Sequence, residues 1–191
     1  TISAPTIVLT ATSGTIGEAA LGQTAAKLIK IRNPTVANKV TLTANASGGV
    51  YLSSASPVEF SGSSGASGAS SWFVVSSTRE LTIKSGGSDP TISAPNVALI
   101  GASLPSDPLV KGIAERSRPD ESGYGNATKL DNLYLEMMVG DFASGTRLGL
   151  GNEARVEHLT LVSRSGSVGS ASSAIDLSTI LTTRTGDQPG I

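Results

Sequence analysis

The chain has 191 residues, enough for one large domain or two small ones, with a formal net charge of −1 and only 15 % charged residues. With no basic excess to neutralise phosphates and aromatic residues at 4 %, binding of nucleic acid through its backbone or by base stacking is not expected. Cysteine is absent, which removes disulfides, thiolate catalysis and cysteine-type zinc sites.

The predicted elements begin with Thr6-Ile7-Val8-Leu9-Thr10-Ala11, a β-rich run bounded by Pro5 and Ser13-Gly14. Lys27–Arg32 alternates in polarity and stops at Asn33-Pro34. Lys39–Ala44 alternates cleanly and places Val40 and Leu42 on one face of a strand. Val50–Leu52, Val58–Phe60, Trp72–Val75 and Glu80–Lys84 follow as short strands with turn residues between them. Ser61–Ser71 (SGSSGASGASS) reads as a low-complexity surface loop.

One internal echo is present. Thr1-Ile2-Ser3-Ala4-Pro5 returns as Thr91-Ile92-Ser93-Ala94-Pro95, and an apolar strand follows each copy. The echo is compatible with two tandem domains, 1–88 and 89–191, with Ser85–Pro90 as a linker; the alternative is a single domain over 1–191. Pro105–Asn126 is dense in charge and proline and is expected to be a long loop, with one helical turn around Gly112–Arg116. Lys111, Glu115, Arg116, Arg118, Asp120 and Glu121 in that loop are candidate interface residues. Lys129–Val139 fits both a strand and a helical face, and the strand is preferred because Gly140 and a further strand-like stretch follow. Ala154–Val162 reads as a strand with Val156, His158, Thr160 and Val162 on one face; Ile175–Thr182 reads as another, and the last residues as a tail.

The search for chemistry returns little. His158 is the only histidine, and a general base needs a partner that nothing in the sequence marks. The 15 carboxylates are spread thinly, with Asp120-Glu121 as the one adjacent pair. Calcium ligation around Asp120, Glu121 and Asn126 lacks the spacing of a calcium loop. Neither a phosphate-binding loop nor a nucleophile elbow is present. No cofactor, no metal and no enzymatic activity are expected. Asn45-Ala46-Ser47 and Asn126-Ala127-Thr128 match the glycosylation pattern.

Composition is the positive signal. With 29 Ser, 19 Thr and 22 Gly against six Lys, the surface is covered by hydroxyls rather than charges. Hydroxyls cost less to desolvate than ammonium or carboxylate groups and lose less side-chain entropy, which suits lateral packing. Over its whole length the chain resembles β-rich virion components, namely head decoration proteins, tail-tube subunits and fibre proteins of tailed viruses. It also looks like subunits of extracellular filaments. The resemblance implies a virion-surface or extracellular location, with copies of the chain itself and a host lattice protein as partners.

The expected fold is therefore all-β and β-sandwich or jelly-roll-like, with a parallel β-solenoid as the alternative, because several strands end in small-residue corners as solenoid rungs do. The expected function is that of a non-enzymatic structural subunit. Thr6–Ala11 is the candidate assembly strand, able to add to a neighbour's sheet. A carbohydrate-binding module using Trp72, Tyr51 or Tyr124 is the further alternative. No apolar run reaches the ~18 residues of a membrane span. The start at Thr1 fits removal of an initiator Met or cleavage of a leader.

Overall fold

The computed structural model describes residues 1–18, 27–65, 71–84, 92–104, 113–114, 128–142 and 154–169. These residues form strands β1 (Ile2–Ser3), β2 (Thr6–Ala11), β3 (Ile29–Arg32), β4 (Val40–Ala46), β5 (Val50–Ser54), β6 (Val58–Ser63) and β7 (Trp72–Ser77). They continue with β8 (Leu81–Ile83), β9 (Ile92–Ser93), β10 (Asn96–Gly101), β11 (Ile113–Ala114), β12 (Thr128–Met137) and β13 (Ala154–Ser163), and include no helix. The all-β expectation holds.

The strands form two sheets. The first has the order β1-β3-β5-β7-β10-β12-β13; the second has the order β11-β9-β6-β4-β2, with β8 also paired to β6. Every ladder between named strands is parallel. The one antiparallel contact among the described residues is an isolated bridge between Glu18 and Lys27. Parallel neighbours cannot be joined by a hairpin and need a crossover. Here the crossover is itself a strand of the other sheet, so that β4 links β3 to β5 and β6 links β5 to β7. Both sheets draw strands from either side of residue 88, since β7 pairs with β10 and β6 with β9.

The core lies between the sheets and follows directly from alternation. In β4 and β5 every second residue is buried, because successive side chains of a strand point to opposite faces. Val40, Leu42, Ala44, Val58, Phe60 and Leu81 of the second sheet meet Val50, Leu52, Phe73, Val75, Val97 and Leu99 of the first in one cluster. Leu133 and Leu135 of β12 extend it. Phe60 and Phe73 stack across it, with ring centroids 6.2 Å apart.

Corners connect the sheets, and short polar residues build them. The Ser54 hydroxyl donates to the Ser56 carbonyl at 2.9 Å and accepts the Ser56 amide at 3.0 Å. The Ser77 hydroxyl of the next corner donates to the same Ser56 carbonyl at 2.9 Å. On the other side, the Asn33 amide donates to the Ser56 hydroxyl at 3.0 Å. All four side chains are buried, so they satisfy corner backbone that would otherwise be orphaned away from water. Part of the serine richness is thus internal.

The Thr-Ile-Ser-Ala-Pro echo also marks corners. In each copy a two-residue strand ends at Ala-Pro and the chain passes to the other sheet, from β1 to β2 and from β9 to β10. The direction differs: the first copy leads from the first sheet to the second, the later copy back again. In both, the proline carbonyl accepts a backbone amide of a neighbouring strand, Thr41 at 2.9 Å and Asp131 at 2.8 Å.

Two local expectations change. Gly112–Arg116, expected to hold a helical turn, contains β11, because Ile113 and Ala114 pair with Ile92 and Ser93 and take their backbone partners from that strand. The low-complexity stretch expected as loop from Ser61 begins inside β6, where Ser61, Gly62 and Ser63 pair with Thr43, Ala44 and Asn45. The ambiguous Lys129–Val139 region is the strand β12, held by β10 on one side and β13 on the other. Ile175–Thr182 and the final tail lie outside the described residues.

Candidate functional site

The candidate assembly strand Thr6–Ala11 is β2, residue for residue. It lies at the edge of the second sheet and pairs only with β4 among the described residues, Thr6 opposite Thr41 through Ala11 opposite Ala46. Its inward side chains anchor it: Ile7 is buried in the core, and Leu9 and Ala11 pack against it. Thr6, Val8 and Thr10 face outward, and Val8 is 66 % exposed. β1 occupies the matching edge of the first sheet, with Ile2 exposed. The two edges meet at the Ala4-Pro5 corner, so this end of the molecule presents two strand edges side by side.

Sheet edges are commonly blunted by lysine, proline or a bulge, because unpaired backbone groups template further pairing. β1 and β2 contain no charged residue and no proline. The far edge of the first sheet is β13, paired only with β12 among the described residues.

The outward face of the second sheet continues the hydroxyl pattern of β2. Thr6 aligns with Thr41, Glu59 and Thr82, and Val8 with Thr43 and Ser61. The Thr43 and Ser61 hydroxyls lie 3.3 Å apart and the Ser63 hydroxyl donates to Asn45 Oδ1 at 3.1 Å. Asn45, the residue of the glycosylation pattern, is thus tied into the ladder. The Lys39 ammonium pairs with Glu59 at 3.1 Å.

Charge concentrates at one place in the first sheet. Glu136, 6 % exposed, accepts the Tyr134 hydroxyl at 2.6 Å and the Arg164 guanidinium at 2.6 Å. Burial works to raise its carboxyl, but the hydrogen bonds from Arg164 and Tyr134 outweigh it and hold the group below its ordinary value of 4.5. Burial, reinforced by the neighbouring carboxylate, pushes the Tyr134 phenol up to about 12 from 10.0. Beside this trio, Asp141 accepts the Ser167 amide and hydroxyl, which lower its pKa. The arrangement clamps the turn after β12 to the turn after β13.

Its pH dependence follows in sign. A depressed carboxylate stabilises the fold above its unfolded value, near 4.5, and that contribution disappears as pH falls through the lower folded value. The raised phenol contributes below pH 10.0 and loses its contribution as pH rises towards about 12. Arg164→Gln leaves a buried carboxylate with one partner. Because the Arg164 side chain is 63 % exposed, the expected result is a lower urea midpoint at neutral pH, by less than the loss of a fully buried pair would give. Urea unfolding across pH 3–7 checks this, and a variant with the wild-type midpoint and an unchanged acid limb would contradict it.

The remaining sequence candidates are dispersed. His158 is exposed on the outward face of β13, while Leu159 and Leu161 pack on the core. Its register neighbour is Asn132, whose amide donates to Asn96 Oδ1 at 2.7 Å, and the Asn96 amide in turn donates to the Ser71 carbonyl at 2.9 Å. Trp72 and Tyr51 are half-buried on the same sheet. Burial raises the Tyr51 phenol, and a hydrogen bond from the Trp72 backbone pulls it partly back. Gly49 leaves room for the Tyr51 ring, which a β-carbon there would overlap. Lys111, Glu115, Arg116, Arg118, Asp120, Glu121, Tyr124 and Asn126 lie outside the described residues.

Comparison of the chain with protein-family models, with curated proteins and with solved structures finds no match. Function is therefore read from the geometry. Among the described residues no three or more His, Asp or Glu side chains are grouped to hold a metal ion, and no helix is long and apolar enough to cross a membrane. The strand Thr6–Ala11 was legible in the sequence; β1 was not. The Tyr134–Glu136–Arg164 trio was not, because Arg164 reaches Glu136 only through the pairing of β12 with β13.

Proposed function

We propose that this chain is a structural subunit that works by β-edge pairing, and that it winds as a parallel β-solenoid whose coils each give a strand to both sheets. Two features support the winding. Strands that follow one another in the chain alternate between the sheets from β2 to β7, and the corners stack by backbone hydrogen bonds, Ala4 to Arg32, Ala55 to Ile31, Thr78 to Ser54 and Ala102 to Arg79. On this reading the chain is one continuous stack across residue 88, since the core cluster runs from Ile7 to Phe142.

The observation that carries the function is the uncharged edge formed by β1 and β2. A coil end whose backbone donors and acceptors have no strand partner on the outer side among the described residues, with exposed Val8 and Ile2 and no charged residue in β1 or β2, is a template for another β-coil. The occupant we favour is a second copy or a lattice partner, giving a virion component of the decoration, tail or fibre type. The charge-poor, hydroxyl-rich surface supports that setting. The same edge serves the reading of an extracellular filament joined through the N-terminal strand.

Val8→Lys places a charge on this edge without touching the core, since Val8 points outward. The wild-type chain is expected to associate with rising concentration in light scattering and electron microscopy. The variant is expected to fold normally and associate about tenfold less well, equivalent to ~1.4 kcal/mol. Equal association of the two chains, or a wild type that stays monomeric at its highest soluble concentration, would overturn the proposal.

A further inference from the structure

A second surface, distinct from the strand edge, has the chemistry of a binding site. On the outward face of the first sheet, near the corners, a cleft of about 340 Å³ is lined in part by Lys30, Arg32, Ser53, Ser76, Thr78 and Met138. This volume lies within the range of small-ligand sites, about 300–1,000 Å³.

Lys30 and Arg32 are two apart in β3 and flank the buried Ile31, so both side chains leave the same face of the sheet. Lys30 aligns with Ser53 and Ser53 with Ser76 across β3, β5 and β7. Strand spacing makes that row about 10 Å long. No carboxylate lines the cleft among the described residues.

Among the described residues neither Lys30 nor Arg32 pairs with a carboxylate. Every other cation with a described partner carboxylate lies elsewhere: Lys27 with Glu18, Lys39 with Glu59 and Arg164 with Glu136. Ser54 and Ser77 spend their hydroxyls on the buried corner. Their immediate neighbours Ser53, Ser76 and Thr78 line the cleft. An anionic group placed at this end of the hydroxyl row would gain charge-assisted hydrogen bonds from Lys30 and Arg32, and a row of this length is more than a single oxyanion can span.

We infer that this cleft binds an acidic saccharide, with the carboxylate or sulfate of one sugar at Lys30 and Arg32 and sugar hydroxyls along Ser53, Ser76 and Thr78. No aromatic side chain lines the cleft among the described residues, so a single-stranded nucleic acid has no stacking platform here.

Calorimetric titration of the full chain with heparin and hyaluronan oligosaccharides, neutral dextran oligosaccharides and sodium sulfate tests this. At least one acidic oligosaccharide is expected to bind, with dextran and sulfate each about tenfold weaker or worse. Binding is expected to weaken as salt shortens the screening length from about 10 Å at 0.1 M to about 3 Å at 1 M. Lys30→Gln combined with Arg32→Gln should lose about tenfold, whereas Lys39→Gln, on the other sheet, should lose nothing. Absence of binding by both acidic sugars, equal binding of dextran, or an unaffected double variant would overturn the proposal. Sulfate binding as tightly as the sugars would overturn its saccharide part, leaving an anion site alone.

Discussion

Gly62→Ala is expected to be the most damaging glycine-to-alanine substitution among the described residues. Gly62 lies within β6, paired with Ala44 of β4 on one side and with Ile92 of β9 on the other. Its φ of +147° belongs to a region that residues with a β-carbon rarely adopt. A methyl built there overlaps the Ala44 carbonyl oxygen and crowds the rest of the Ala44 backbone. Neither conflict is relieved by turning a side chain, because the obstacle is the neighbouring strand. The β4–β6 ladder must open or β6 must change its path. The expected cost is ~4 kcal/mol or more, a large share of the ~5–15 kcal/mol that stabilises a typical domain. Gly14→Ala separates the two causes: Gly14 also has a positive φ, 92°, but open space around its missing β-carbon. It should cost only ~1 kcal/mol. Urea unfolding of both variants is the measurement, and equal midpoints would contradict the steric argument.

Phe73→Ala is expected to cost ~3–5 kcal/mol. Phe73 of the first sheet and Phe60 of the second are both fully buried, and their rings stack across the core at an interplanar angle of 21°. Together they fill the space between the sheets where β6 hands the chain to β7. Truncation removes the transfer free energy of the ring and leaves a cavity that the paired strands cannot collapse around. Phe60→Ala should cost a similar amount. In a double-mutant cycle the pair should show a coupling of ~0.5–1.5 kcal/mol beyond burial. Additive single losses would mean that the rings merely occupy volume. A loss below ~1 kcal/mol for Phe73→Ala would mean that the two sheets do not depend on each other at this point.

The two substitutions act on features that differed in how openly the sequence displayed them. Phe60 and Phe73 sit in alternating or apolar runs, and their burial follows from period-two patterning. Gly62 sits in SGSSGASGASS, where composition argues for loop. Nothing local shows that Ser61, Gly62 and Ser63 are held as strand by β4 and β9.

The same division runs through the rest of the chain. Thr6–Ala11 reads as an edge-capable strand from its own residues, and its place at a sheet edge agrees. Leu133 and Met137 fit two periodicities, and only the flanking β10 and β13 decide that they are strand. The Thr-Ile-Ser-Ala-Pro echo is visible as a repeat, but its role as a corner leading in opposite directions between two sheets is not. The hydroxyl bias is visible too. That Ser54, Ser56 and Ser77 are spent inside corners, while Ser53 and Ser76 face outward, depends on which corner stacks on which.

By itself the sequence determined the cleanly alternating strands such as β4 and their buried faces, because the pleat makes alternation a property of a few neighbouring residues. Only the tertiary structure decided that the ladders are parallel, which strands lie at the sheet edges among the described residues, and where Lys30 and Arg32 meet a hydroxyl row. Parallel and antiparallel ladders place the same alternating side chains on the same two faces. The choice between them is made by backbone groups of residues far apart in the chain.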